Sequence, residues 1–261
     1  MTDSFMSLPT FIMLFLAGIG GGALSSLVGG AAVITYPALI AAGIPPLQAT
    51  ACNLMSNFPG NFLAALSDRK QLPPLDRKFV GMVLASMLGA GLGALLLMAT
   101  PQHVFAVLVP VLLGFATVLF AFAAPVSAWL RARAMSKGRD IDFSVTNMKM
   151  LLPVSFYGGY FGAGVGVLLL AVLTMATKGD YRSANVTKNL VTSLNTATAS
   201  AIFVFNGMVI WPHTLALMVG SIIGAQIGAG LARVAPREVM RIAVTVVGAL
   251  LTGYFAWAYW F

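Results

Sequence analysis

The sequence predicts an all-α polytopic membrane protein: two inverted-topology repeats whose helices are interrupted by Gly/Pro-broken or re-entrant segments. Composition, the placement of charge and the likeness of the two halves carry that prediction. Of the 261 residues, 59% are hydrophobic and 8% charged, against roughly 25% charged in an average soluble domain. A water-dissolved enzyme could not cover its surface with 15 basic and 7 acidic side chains. The charges are also segregated. No Lys, Arg, Asp or Glu lies between Asp3 and Asp68, between Lys78 and Arg131, from 189 to 232, or from 242 to 261. A bilayer-spanning helix needs about 20 apolar residues, so these runs have room for several spans.

The first apolar block is cut by Gly20-Gly21-Gly22, Gly29-Gly30, Pro37 and Gly43-Ile44-Pro45-Pro46. Gly and Pro loosen or break the helical ladder. The block therefore reads as a helix over 8–28, a piece over 30–42 too short to cross comfortably, and a helix over 47–66. The connection 67–78 holds four basic and two acidic residues and is followed by spans at 79–99 and 104–123. The connection 131–149 holds five basic and two acidic residues. The second half follows the same outline: a Gly-rich helix at 150–163, a short apolar piece ending near Ala176, and spans at 184–205, 212–231 and 242–260. The positive-inside rule puts the connections 67–78, 131–149 and 233–241 in the cytoplasm and the uncharged Asn206-Gly207 turn outside.

Superposing the halves pairs Gly30 with Gly164 and Leu39 with Leu173 at an offset of 134, and Asn53 with Lys188 at 135. The turns that follow the third piece of each half then fall on opposite sides, which makes the repeats inverted. The chain divides into an N-terminal transmembrane repeat (1–130), a basic cytoplasmic connection (131–149) and a C-terminal transmembrane repeat (150–261), together a single integral membrane domain. Inverted repeats broken at matching positions are the sequence pointer to a secondary transporter with its site near the midplane.

Lys188 is the sharpest residue, five positions into an apolar helix, where a charge must reach a cavity, a partner or the interface. It either contacts an anion directly or snorkels to the headgroups beside Arg182 and Lys178. The breaks at Gly29-Gly30 and at Gly162, Gly164 and Gly166 either present backbone N–H groups to an anion or let helices approach closely, as the spacings Gly18–Gly22 and Gly89–Gly93 do. Asn53, Asn57 and Asn61 recur every fourth residue, and Asn185, Asn189, Thr192 and Asn195 form a matching stripe. Such stripes line a wet cavity or hydrogen-bond between helices. Gln226, a lone amide in an apolar span between Gly224 and Gly228, is a further candidate for the pathway. Asp180 and Asp68 are the acids near the breaks and candidates for proton or sodium coupling, with loop solubility as the plain alternative.

Hydrolase, phosphate-loop and zinc-protease patterns do not occur, so no enzyme, catalytic residue, cofactor or metal is expected. Cys52 alone cannot form an internal disulfide. His103 and His213 beside Pro101 and Pro212, and Trp211, Trp257, Tyr259 and Trp260, read as membrane-interface residues. Connection charges explain the net +8 without nucleic acid. No basic leader precedes the first apolar block, so cleavage of a signal is not expected.

The stretch Gly18 to Leu39, closing in Pro37-Ala38-Leu39 and followed by Gly43 and Ala49-Thr50-Ala51-Cys52-Asn53, resembles the TauE/SafE sulfite exporter family. Its counterpart, Gly158 to Leu173 followed by Tyr181 to Lys188, is also family-like. The chain departs from the family's pattern in having Gly29-Gly30-Ala31 and Gly162-Ala163-Gly164 for an unbroken Gly triplet, and Ala171-Val172-Leu173 for the second Pro-x-Leu. The resemblance implies a bacterial inner-membrane carrier of small organic or sulfur-containing anions such as sulfite or sulfoacetate. On that reading the partners are a small anionic substrate and membrane lipid, and a homo-oligomer is compatible. Alternating access by rocking of one repeat on the other is the expected mechanism. An anion channel and a non-transporting membrane scaffold or assembly protein are the alternatives.

Overall fold

The computed structural model describes residues 6–27, 29–136, 145–176, 180–231 and 237–260, those at 123–136, 145–148, 175–176, 231 and 237–241 as backbone. The chain is an all-α polytopic membrane protein. Ten helices follow one another among the described residues: α1 (Leu8–Leu27), α2 (Ala32–Ala41), α3 (Pro46–Ser67), α4 (Arg77–Ala99), α5 (Gln102–Ser136), α6 (Val145–Tyr160), α7 (Val165–Ala176), α8 (Tyr181–Phe205), α9 (Trp211–Leu231) and α10 (Arg237–Trp260). Five of them are long and apolar enough to cross a bilayer: α1, α4, the Gln102–Phe122 part of α5, α9 and the Ile242–Trp260 part of α10. Leu84, Leu88 and Leu92 on α4 and Val107, Val111 and Val118 on α5 face outward, where lipid rather than water suits them.

The elements follow the sequence pattern, with three differences of consequence. Helix α5 reaches Ser136 and α6 starts at Val145, so helix invades both ends of the 131–149 connection. At 1.5 Å per residue the 35 residues of α5 span about 52 Å, well beyond a hydrocarbon core of about 30 Å. Helix α8 starts at Tyr181 rather than 184, because Asp180 caps it by accepting a hydrogen bond from Arg182 N at 3.0 Å. Lys188 is therefore two full turns inside its helix. The short pieces α2 and α7 have 10 and 12 residues, too few to cross.

Small residues decide how the helices meet. Helix α1 packs chiefly on α9 and α4 on α6. A Cβ added at Gly18 or Gly22 would collide with the backbone of Leu217 or Ser221, and one at Gly89 or Gly93 with that of Leu152 or Phe156. Such contacts gain dispersion energy that any larger residue would remove. Both pairs run parallel. Since the C-terminal end of α9 lies beside Ser67 and Asp68, α1 runs toward the face that carries the 67–78 connection, whereas α4 and α6 run away from it.

Each main pairing has a counterpart five helices on: α1·α9 with α6·α4, α3·α9 with α8·α4, α2·α3 with α7·α8, and α3·α8 and α5·α10 with themselves. At α5·α10 the detail is reciprocal. Gly114 faces Thr252, and Gly248 faces Thr117.

Candidate functional site

The two breaks meet at the centre of the molecule. Helices α1 and α6 end alike, with Gly29 N bonded to Leu24 O at 3.0 Å and Gly162 N to Tyr157 O at 3.2 Å. Both glycines have positive φ, 88° and 81°, a conformation that L side chains rarely hold. Gly29 lies directly against Gly166, and a Cβ on either would overlap the other's Cα. Around this contact is a chamber of about 30 Å³, lined by Ser25, Gly29, Asn53, Asn57, Asn61, Gly162, Gly166, Thr192 and Thr196, together with apolar side chains.

The polar stripes of α3 and α8 are in different states, α3 reaching the chamber through Asn53, Asn57 and Asn61 and α8 through Thr192 and Thr196. On α3, Asn53 Oδ1 accepts from Thr35 Oγ1 at 2.5 Å and from Asn57 Nδ2 at 2.9 Å. Asn57 Oδ1 accepts from Ser221 Oγ at 3.1 Å, and Asn61 Oδ1 from Ser25 Oγ at 2.9 Å. This stripe ties α3 to α1, α2 and α9. On α8, the buried atoms Asn185 Oδ1, Asn189 Oδ1, Thr192 Oγ1, Ser193 Oγ, Asn195 Oδ1 and Ser200 Oγ have no hydrogen-bond partner among the described residues. Buried polar atoms without partners are rare in folded proteins, and water, an ion or a ligand can satisfy them.

The unpartnered stripe leads out of the chamber. Asn185 and Asn189 line a second cavity of about 470 Å³ with Ala64, Ser67, Asp68, Tyr181, Arg182, Val186, Gln226, Ala229 and Gly230. It sits at the face bearing the 67–78 connection. Arg182 and Asp68 form a two-pronged ion pair there, with Nε to Oδ2 at 2.7 Å and Nη2 to Oδ1 at 2.6 Å. Ser67 Oγ stands 3.1 Å from Gln226 Oε1. On the opposite side of the chamber the way is filled by rings. Tyr36 meets Phe161 edge-on at 5.3 Å and Phe255 at 6.2 Å, and Phe105 meets Phe161 at 6.1 Å.

Lys188 joins neither cavity wall. It is 1% exposed, which excludes snorkelling to the headgroups. Its Nζ donates to Ser25 O at 2.8 Å and Ser26 O at 3.4 Å. Asn185 Nδ2 also reaches Ser26 O at 3.2 Å, and Tyr181 Oη reaches Leu27 O at 3.1 Å. Three α8 side chains thus cap the last carbonyls of α1, which have no partner within their own helix, and a cation is favourable at that end of the helix dipole.

Of the sequence-derived site residues, Gly29, Asn53, Asn57, Gly162 and Gly166 line the chamber, and Asn185, Asn189 and Asp68 line the larger cavity. Gly30 and Gly164 face away, toward Phe120 and Ala116 of α5; close packing accounts for Gly30, and Gly164 also holds a positive φ of 75°. Asp180 is exposed and spent on capping α8, and Asp68 is committed to Arg182. The sequence pattern missed Ser25, Ser26, Thr35, Tyr181 and Ser67, whose roles depend on helices distant in the chain.

The match to the family model described as Sulfite exporter TauE/SafE runs over residues 14–255. The chain is 31% identical to "Probable membrane transporter protein ORF9" of Sinorhizobium sp over 91% of its own length and 89% of that protein's. It is 25% identical to "Probable membrane transporter protein YfcA" of Escherichia coli K12 over 95% and 90% of the two lengths. It is 24% identical to "Probable membrane transporter protein YunE" of Bacillus subtilis over 93% and 97%. No solved structure matches significantly. With nearly its whole length matched and its broken helices meeting at a polar centre, the chain belongs to the TauE/SafE family of membrane transporters.

Proposed function

We propose that this protein is a secondary transporter, not an enzyme, that moves a small organic or sulfur-containing anion such as sulfite or sulfoacetate across the bacterial inner membrane by alternating access. The observation that carries this reading is the run of unpartnered polar atoms on α8. Its Asn185 and Asn189 line the cavity open at the basic face, and its Thr192 lines the chamber where two broken helices meet. A site between half-helices, reached from one side and sealed by aromatic rings on the other, is what alternating access requires. The opposite directions of α1 and α6 support inverted repeats.

The moving bodies are not the sequence halves. The glycine seams α1·α9 and α4·α6 each join one half to the other, so rocking of repeat on repeat would tear the closest contacts in the molecule. We place the movement between groups of helices drawn from both halves, with Gly29 and Gly162 as the turning points. No resident cofactor enters the scheme. Asp68 pairs with Arg182 and Asp180 caps α8, so a proton or sodium ion that couples through either carboxylate would compete with that contact.

Reconstitution into liposomes tests this. Sulfite or sulfoacetate entry that saturates with concentration and depends on an imposed proton or sodium gradient is the expected result. Flux that rises without saturating would make the protein a channel. Absence of flux for every small anion tried would favour a scaffold.

A further inference from the structure

The larger cavity holds one basic residue among the described residues that line it, Arg182. Its fork is filled by a neighbour: Nε and Nη2 each bind one oxygen of Asp68, at 2.7 and 2.6 Å. Two oxygens of a substrate carboxylate, sulfonate or sulfite would take the same two prongs, since the guanidinium fork matches any such oxygen pair. The pair is not locked away. The side chains are 52% and 29% exposed, and exposed ion pairs contribute little net stability, so an arriving anion can exchange with the Asp68 carboxylate.

We propose that Arg182 is the docking residue for the anionic group of the substrate, and that Asp68 is a built-in competitor that holds the guanidinium until an anion displaces it. Taking up substrate then opens the link between the last turn of α3 and the first turn of α8. An anion on Arg182 sits at the outer end of the polar stripe that leads to the chamber. The inference rests on the transport reading only for the word substrate; the competition itself is a binding property.

The test uses the full-length protein purified in detergent and measures binding of sulfite, sulfoacetate and acetate to wild type, Asp68→Asn, Arg182→Gln and Arg182→Lys. At least one anion is expected to bind about tenfold more tightly to Asp68→Asn, where the competitor is gone, and about tenfold more weakly to Arg182→Gln. Arg182→Lys, with charge but no fork, is expected to fall between wild type and Arg182→Gln. Unchanged affinity in either Asp68→Asn or Arg182→Gln overturns the proposal, as does failure of all three anions to bind both wild type and Asp68→Asn. Should Asp68→Asn fail to fold, Asp68→Ser carries the same expectation. Wild-type flux in liposomes separates the two claims. Flux with unaltered affinities leaves transport standing and removes the docking role, while altered affinities without flux do the reverse.

Discussion

Helices α3 and α8 occupy matching places in the two halves, face one another, and each carries amides at helical spacing, yet their polar atoms have opposite fates. On α3 the oxygens of Asn53, Asn57 and Asn61 are all taken by neighbouring side chains. On α8 the oxygens of Asn185, Asn189 and Asn195 are all untaken. The contrast teaches that the same sequence stripe serves two ends. One is a weld between helices; the other, on our proposal, serves the transport path. Lys188, at the position matching Asn53, belongs with the weld although it sits on the other helix.

Four substitutions break or sharpen the contrast. Lys188→Met should cost most, because it strands the Ser25 carbonyl, at about 1–3 kcal/mol, and removes one of the two donors to the Ser26 carbonyl, at about 0.5–1.5 kcal/mol; a large drop in the unfolding temperature in detergent would show it. Asn57→Ala leaves the Ser221 hydroxyl without its acceptor and should cost about 1–3 kcal/mol, read by the same melt. Tyr181→Phe removes one hydrogen bond near the cavity mouth, and a loss of about 0.5–1.5 kcal/mol is expected. Asn189→Ala is the smallest in stability, within about 0.5 kcal/mol, since its oxygen has no protein partner to lose. That variant should nevertheless transport poorly. If Asn189→Ala melts as far below wild type as Asn57→Ala does and transports normally, the distinction between the two stripes collapses.

Much of this was legible in the sequence and the rest was not, for identifiable reasons. Helices and breaks could be read because lipid demands long apolar runs and because Gly and Pro interrupt them. The stripes at Asn53–Asn61 and Asn185–Asn195 could be read from their period. Their separate fates could not, because the groups that satisfy α3 come from α1, α2 and α9, and no local pattern announces Ser25 or Ser221 as donors. Lys188 stands out in the sequence as a charge within an apolar helix, but its carbonyl acceptors lie about 160 residues away. The pairing of Arg182 with Asp68 joins two connections that look like ordinary solvated charge. Gly30 and Gly164 shared a motif with the chamber glycines, and only the position of α5 separates the two kinds.

The seam between α1 and α9 also sets the order in which this protein can be completed. Gly18 and Gly22 wait for Leu217 and Ser221, about 200 residues later in synthesis, and α4 must likewise hold its glycine face open until α6 arrives. During insertion α1 therefore sits in the bilayer without its partner, with its terminal carbonyls still uncapped because Tyr181, Asn185 and Lys188 have not been made. The N-terminal half is a waiting intermediate rather than a finished lobe, and long-range pairing of this kind slows assembly. Truncated chains that stop before α9 should be poor folders and ready targets for membrane proteases.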